Sequence, residues 1–125
     1  MEKFLQSRLL SFKYAFSGIR YVVKSQQNAW IHALISVVVI FLAIWLAVPP
    51  QSWALIGLTL GLVWMAECVN TAIEKVFDLI NPDSHPLVKI GKDVSAAGVL
   101  ISALCAVFVG LVIFGPPLIE KLFVR

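Results

Sequence analysis

Four polar side chains recur on one face of an otherwise apolar stretch, with spacings of three, four and four residues: Glu67, Asn70, Glu74 and Asp78. These spacings place all four on the same side of an α-helix. The apolar run begins near Trp53, so we expect Glu67 to lie on a helix that is still inside a membrane. A carboxylate at that depth is costly unless it is paired or bound, which marks the row as a candidate functional site.

The row has the groups that phosphoryl transfer to a lipid requires. Glu67, below the headgroups, can accept the proton of a lipid hydroxyl as a general base. Glu74, two turns nearer the water, can hold Mg²⁺ together with phosphate oxygens. Transfer from a nucleotide also needs cations near its phosphates, and Lys89 and Lys92 follow in the next loop. This combination suits a kinase that acts on a lipid alcohol at the membrane surface.

Two other uses of the row remain open at this point. Glu67 and Asn70 could hydrogen-bond across helices and so specify packing alone. Glu67 could also relay protons or cations in a small conducting protein, which would need several copies to build a path. The sequence contains no Walker-type glycine loop, zinc-ligand spacing or serine triad. We interpret Cys68 and Cys105 as small apolar residues inside the spans.

The composition indicates an integral membrane protein. Hydrophobic residues make up 60% of the 125 residues and charged residues only 14%, and an apolar helix of about 20 residues crosses a bilayer. We therefore predict a single all-α membrane domain over residues 1–125, with three transmembrane helices and an N-terminal amphipathic surface helix. The surface helix is expected over about 4–27, and the spans over about 31–48, 53–80 and 94–114.

The predicted surface helix carries two stripes. Apolar residues recur every three or four positions from Leu5 to Val23, and a basic stripe runs beside them through Lys13, Ser17, Arg20 and Lys24. Such a helix suits a membrane surface with anionic headgroups. The cations could serve anchoring alone, or some could also meet a phosphate ligand, for which Lys13 and Arg20 are the candidates.

Proline and polar clusters predict where the spans end. The double proline at Pro49-Pro50 should end the first span, and residues 81–84, Asn-Pro-Asp-Ser, should end the second. We expect a loop up to Gly91 and a third span after Lys92-Asp93, with Asp93 as a possible N-cap. The third span is expected to end at residues 115–117, Gly-Pro-Pro.

The basic residues predict the orientation in the membrane. Five precede the first span and three lie between the second and third, whereas the first turn has none. By the positive-inside rule, the N-terminus is cytoplasmic and the C-terminus, despite Lys121 and Arg125, is outside. Counting the helical rise from Trp53 then places Glu67 about 9 Å below the cytoplasmic interface.

These residues resemble the prokaryotic diacylglycerol kinase family, which includes undecaprenol kinases. Residues 67–74 with Asp78 are similar to its signature E-x-x-N-[ST]-A-x-E-x-x-x-D, and Lys92-Asp93 with residues 96–100 resembles its second motif. Residues 12–19 match its amphipathic entry. Asn28 and His32 match an N-x-x-x-H found mainly in the undecaprenol kinase branch, although His32 and His85 are only weak site candidates by themselves.

The resemblance implies a homotrimer of three-span chains with active sites shared between neighbours, in a bacterial plasma membrane. It implies transfer of the ATP γ-phosphate, with Mg²⁺, to undecaprenol or diacylglycerol, giving undecaprenyl phosphate or phosphatidate. Glu67 would be the general base, Asn70 a contact that orients the lipid or the base, and Glu74 a metal ligand. Lys92 would hold the nucleotide phosphates, supported by Asp93. No nucleic-acid partner is implied.

One residue departs from the family pattern. The family usually places a glutamate two residues before Asn28 as a further metal ligand, and this chain has Gln26 there. A glutamine carbonyl can ligate Mg²⁺ but brings no charge, so we expect a weaker metal site. The departure also leaves open a non-catalytic or regulatory member of the family. The Asn28 and His32 match favours undecaprenol over diacylglycerol as substrate, whereas the Val, Ile and Leu residues of the acyl groove do not specify a lipid chain.

Overall fold

The computed structural model describes residues 1–80 and 85–124, and this part of the chain is helical almost throughout. Its elements are four α-helices and a final π-helical turn: α1 Glu2–Ser25, α2 Gln27–Trp45, α3 Pro50–Ile80, α4 Pro86–Ile119 and the turn Glu120–Val124. The described residues contain no strand. The predicted all-α class is confirmed.

Within the described ranges, three helices are long and apolar enough to cross a membrane. They are α2, α3 and the continuous stretch Pro86–Phe123 that begins with α4. Only a few apolar side chains are buried within the chain, whereas large apolar side chains are exposed along all four helices. Exposure of so large an apolar surface to water is unfavourable, so this surface is expected to contact lipid or other membrane-embedded protein. The chain is an integral membrane protein.

Helices α1 and α2 are separated by one extended residue. Gln26 has φ −110° and ψ 123°, while residues on both sides of it are helical. Its N–H still bonds to the Val22 carbonyl, at 3.0 Å. The break changes the direction of the chain between α1 and α2, and it allows the Gln26 side chain to reach α3.

A Schellman motif ends α2 before the double proline. Ala47 has φ 50°, and the N–H of Val48 bonds to the Ala43 carbonyl at 3.1 Å while that of Ala47 bonds to Ile44 at 3.1 Å. Val48 and Ala43 are both in the buried core cluster, which supplies the apolar contact that accompanies this motif. Pro50 then opens α3, where its fixed φ is favourable and no N–H is needed.

Helix α4 begins earlier than the sequence predicted. It starts at Pro86, with His85 as its N-cap accepting a hydrogen bond from the Leu87 N–H at 3.2 Å. The expected loop up to Gly91 is wrong, as is Asp93 as N-cap, because a capping histidine followed by proline already begins the helix. The predicted break at residues 81–84 lies outside the described residues.

The prolines at 116 and 117 do not end α4. The helix continues to Ile119, and the Glu120 N–H bonds to the carbonyls of Pro116 and Pro117. The bond to Pro116 continues the helical pattern, in which each N–H bonds to the carbonyl four residues earlier, past the two prolines, so the expected end at residues 115–117 is wrong. Beyond it, Lys121 donates to the Trp45 carbonyl at 2.9 Å and lies over the Trp45 ring at 4.3 Å. This contact ties the chain end to the end of α2.

Candidate functional site

The polar row on α3 lies on one face of the helix, as its spacing predicts, and its burial changes along that face. Glu67 is 1% exposed and Asn70 is 7% exposed. Glu74 is half-buried and Asp78 is exposed. The row therefore runs from a fully enclosed carboxylate to an accessible one.

Glu74 accepts hydrogen bonds from two amides. Gln26 donates from Nε2 to Glu74 Oε2 at 2.9 Å, and Asn70 donates from Nδ2 to Glu74 Oε1 at 3.1 Å. Gln26 is the extended residue between α1 and α2, whereas Asn70 lies on α3, one helical turn before Glu74. The structure thus brings together Gln26 and Glu74, which are far apart in the sequence and were both predicted metal ligands.

Ser95 on α4 fixes the orientation of Asn70. Its Oγ lies 2.7 Å from Asn70 Oδ1 and 2.9 Å from the carbonyl oxygen of Lys92. With Oδ1 facing this hydroxyl, the Asn70 amide group must point to Glu74. Sequence reasoning missed Ser95, and its place beside Lys92-Asp93 was the available signal. The contact supports a positioning role for Asn70.

Glu67 faces His32 on α2. The distance from His32 Nε2 to Glu67 Oε2 is 3.9 Å, and within the described residues neither buried atom has a hydrogen-bond partner. The hydroxyl of Thr71 instead donates to the Glu67 backbone carbonyl at 2.8 Å. His32, only a weak candidate in the sequence, is therefore next to the predicted general base.

Lys92 lies on the water-accessible side of the row. Its Nζ is 2.6 Å from Asp78 Oδ1, and Lys75 Nζ is 3.0 Å from Asp78 Oδ2. Both lysines and Asp78 are substantially exposed, so these pairs are of the kind that contributes little to stability. Asp93, next to Lys92, is exposed as well. A phosphate group can compete for such lysines.

Within the described residues, the basic stripe of α1 forms no salt bridge with the polar row of α3. Lys13 and Arg20 are exposed, and neither forms a salt bridge with any carboxylate in the described part of the chain. Arg20 lines a shallow depression together with Ser17, Tyr21, Lys24 and Ser25. The depression is basic and could receive a phosphate, but it is formed by α1 alone.

Among the described residues, no group of three or more His, Cys, Asp or Glu side chains could hold a metal ion. Among the residues that the structure describes, Glu74 is the carboxylate that contacts Gln26. The phosphates of a nucleotide are oxygen ligands that could add to this pair.

Comparison with known proteins identifies the family. A sequence model described as prokaryotic diacylglycerol kinase matches residues 13–114. A diacylglycerol kinase of Synechocystis sp. is 41% identical over 113 residues, covering 90% of this chain and 65% of that protein. An undecaprenol kinase of Bacillus subtilis is 34% identical over 108 residues, covering 86% of this chain and 88% of that protein.

A diacylglycerol kinase of Escherichia coli is 30% identical over 94 residues, covering 75% of this chain and 77% of that protein. All three relatives are named as kinases. The matched range includes Glu67, Asn70, Glu74 and Lys92, and it confirms the resemblance seen in the motifs. This chain belongs to the prokaryotic diacylglycerol kinase family.

Proposed function

We propose that the protein is an integral-membrane lipid kinase that transfers the γ-phosphate of ATP to the hydroxyl of a lipid alcohol. The observation that carries the proposal is the polar face of α3. An enclosed carboxylate, Glu67, lies two helical turns from Glu74, which is bonded to Gln26 and Asn70. This reaction requires a general base at the depth of the lipid hydroxyl. It also requires, nearer the water, a site that binds phosphate and a metal ion.

In the proposed reaction, the lipid hydroxyl oxygen forms a bond to the γ-phosphorus. The bond from that phosphorus to the bridging oxygen of ADP breaks, and its electron pair leaves with ADP. The hydroxyl proton passes to a carboxylate oxygen of Glu67. Asn70 positions Glu74, because its own amide is held by Ser95 at 2.7 Å.

Glu74 and Gln26 would hold Mg²⁺. The pair is 2.9 Å apart between Gln26 Nε2 and Glu74 Oε2, and a half-turn of the Gln26 amide would place its oxygen there instead. Two oxygens at this separation, one from a carboxylate and one from an amide, could both ligate one Mg²⁺ ion. Bound Mg²⁺ would neutralise charge on the phosphates.

We assign the nucleotide phosphates to cations at the accessible end. Lys92, with Asp93 beside it, can exchange its exposed pairing with Asp78 for a phosphate. Lys13 and Arg20 complete the proposed set. Because α1 holds these two apart from the α3 cluster, they fit a site that a neighbouring chain helps to build.

The proposed assembly is a homotrimer in a bacterial plasma membrane with the N-terminus in the cytoplasm. The extensive exposed apolar surface of α2, α3 and α4 supports association with further copies or with lipid. The distribution of basic residues supports the orientation. In that orientation, the ATP site faces the cytoplasm, where ATP is available.

Undecaprenol and diacylglycerol are both candidate substrates, since relatives of this chain are named for each. The chain spans 65% of the length of the Synechocystis relative and 88% of the Bacillus one. A comparison of the two lipids at equal mole fraction in mixed micelles would identify the preferred substrate.

The test of the proposal is transfer of label from [γ-³²P]ATP to lipid by purified protein. Wild type is expected to label at least one of the two lipids, and Glu67→Gln to reduce kcat at least about a hundredfold. Glu120→Gln, an exposed glutamate after α4, is the matched control. If the wild-type protein labels neither lipid, the proposed kinase activity is wrong. If Glu67→Gln keeps full activity, only the proposed role of Glu67 as general base is wrong. Ion flux across vesicles without nucleotide would instead support the conducting protein.

A further inference from the structure

The contact between α2 and α3 holds two buried polar atoms that nothing in the described chain satisfies. They are Nε2 of His32 and Oε2 of Glu67, 3.9 Å apart, and the Glu67 side chain is 1% exposed. Buried polar atoms are almost always hydrogen-bonded, and leaving them unpaired costs stability. Two such atoms facing each other, one a donor and one an acceptor, indicate a shared polar ligand.

A hydroxyl group matches this pair. It offers one donor and two acceptor lone pairs, so it can donate to Glu67 and accept from His32 at the same time. Hydrogen bonds of about 2.7 Å to the carboxylate and about 2.9 Å to the imidazole nitrogen are ordinary. With the observed 3.9 Å between the two atoms, they meet at the hydroxyl oxygen at nearly a right angle.

An apolar cavity extends from His32 into the bundle. Its volume is about 260 Å³, and its walls come from α2, α3 and α4. Along α2 it runs from His32 to Leu42, which is about 15 Å at the helical rise. The cavity therefore offers an apolar chain a place next to the polar pair.

The other polar groups of this cavity are already bonded. Ser36 Oγ donates to the His32 carbonyl at 2.7 Å and accepts from Trp64 Nε1 at 3.2 Å. Thr59 Oγ1 donates to the Leu55 carbonyl at 2.7 Å. Of the polar side chains that line the cavity in the described chain, His32 is the one with a buried unpartnered atom.

We propose that His32 holds the hydroxyl of the lipid alcohol jointly with Glu67, while the cavity beside it receives the adjoining hydrocarbon. The proposal rests on the kinase function proposed above. His32 Nε2–H donates to the hydroxyl oxygen and fixes its position. The hydroxyl proton points to Glu67 Oε2, which takes it when the oxygen bonds to the γ-phosphorus and ADP leaves.

The kinetic test compares two substitutions at His32. His32→Leu keeps the bulk and removes the donor, and we expect the lipid KM to rise about tenfold with the ATP KM unchanged. His32→Gln restores an N–H near the position of Nε2, so it should recover most of the loss. Leu34→Ile, on a part of α2 that does not line the cavity, is the matched control and should leave both constants unchanged.

A second measurement does not depend on activity. The chain has two histidines, so ¹⁵N-histidine labelling of His85→Gln protein reports on His32 alone. Farnesol, a prenol with one hydroxyl, should shift the His32 Nε2 resonance, whereas farnesene, the hydrocarbon without the hydroxyl, should not.

The outcomes separate this proposal from the proposed function. If wild type phosphorylates lipid but His32→Leu keeps the wild-type lipid KM, the assignment of His32 is wrong and the kinase stands. Equal loss in His32→Gln and His32→Leu, or a matching rise in the ATP KM, also overturns it. If wild type phosphorylates no lipid, the function fails, and an identical resonance with farnesol and farnesene overturns the His32 site as well.

Discussion

At the scale of single residues, Glu74 has an unusual environment for a proposed metal ligand. Its two oxygens accept hydrogen bonds from the amides of Gln26 and Asn70. These amide dipoles stabilise its negative charge, and no cation of the described residues lies within salt-bridge distance of it. The family pattern has a glutamate at position 26. Glutamine there replaces a repulsive carboxylate pair by a hydrogen bond, which stabilises the site in the absence of metal and reduces its charge.

The substitution Gln26→Glu should therefore strengthen the binding of Mg²⁺. A second carboxylate within about 3 Å of Glu74 repels it unless a cation lies between them. We expect the Mg²⁺ concentration for half-maximal lipid phosphorylation to fall several-fold. Activity measured against free Mg²⁺ at saturating ATP checks this expectation.

Gln27→Glu is the matched control, since it introduces the same charge at the exposed neighbouring position. Its activation curve should coincide with that of wild type. Coincidence of the Gln26→Glu curve with wild type would remove Gln26 from the metal site. A shift of both variants would indicate a general effect of surface charge.

At the scale of secondary-structure elements, the turn between α2 and α3 holds a strained residue. Ala47 has φ 50°, in the left-handed region that costs an L-residue about 1–2 kcal/mol. The two Schellman hydrogen bonds and the burial of Val48 hold it there. Glycine is the usual residue at this position because it has no Cβ to clash.

Ala47→Gly should raise the free energy of unfolding by about 0.5–1 kcal/mol, the difference between relieved strain and the larger entropy of glycine in the unfolded chain. Unfolding by sodium dodecyl sulfate in mixed micelles gives the measurement. Ala54→Gly, at an exposed position inside α3, is the control and should lower the free energy of unfolding by about 1 kcal/mol. Destabilisation by both variants would contradict the left-handed conformation of Ala47.

Helices α3 and α4 approach closely next to Lys92. A Cβ placed on Gly91 would overlap the ring of Phe77, whereas one on Gly98 would meet nothing within 4 Å. The glycine lets Phe77 pack against the backbone of α4. This contact helps to keep Lys92 beside Asp78 on α3.

Gly91→Ala should separate the two helices near the accessible end of the site. Overpacking of this kind costs about 1–3 kcal/mol, and we expect the ATP KM to rise with it, since Lys92 moves relative to α3. Gly98→Ala should neither lower the free energy of unfolding nor raise the ATP KM, because a Cβ at this position meets no other atom within 4 Å. Recovery in the double variant Gly91→Ala, Phe77→Leu would attribute the effect to this contact, and a lack of recovery would refute it.

At the scale of the whole molecule, charge is distributed unevenly between the two ends of the spans. Eight basic residues lie before the first span or near the adjacent ends of α3 and α4, and the turn between the first two spans has none. At the other end, Lys121 is bound to Trp45 at the end of α2. A lysine held in this way is a weak argument against an outer location.

Orientation can be measured with single exposed cysteines. A membrane-impermeant maleimide added to intact cells should label Gln51→Cys, in the first turn of α3, and should not label Lys89→Cys at the start of α4. Unsubstituted protein, with Cys68 and Cys105 inside the spans, provides the background. Opening the cells should make Lys89→Cys reactive. The reverse pattern would place the N-terminus outside and contradict access of ATP from the cytoplasm.

Periodicity and apolar length were sufficient to predict the helical membrane fold and the common face of Glu67, Asn70, Glu74 and Asp78. Both depend on local geometry, because a helix repeats every 3.6 residues and an apolar run of span length is stable only in lipid. The motifs in the same stretch were sufficient to identify the family, which the comparisons confirm. Helix ends were less predictable, since they depend on individual hydrogen bonds: the Leu87 N–H to the His85 side chain where α4 begins, and the Glu120 N–H to the carbonyls of Pro116 and Pro117 where it ends.

Only the tertiary structure decided which partners meet the polar row. Gln26 reaches Glu74 because one extended residue turns the chain between α1 and α2. Ser95 orients Asn70 across the packing of α3 against α4. His32 on α2 likewise faces Glu67 on α3. Each of these three contacts joins residues from different elements. Sequence spacing determines the face of one helix, but the rotation and separation of packed helices determine which faces meet.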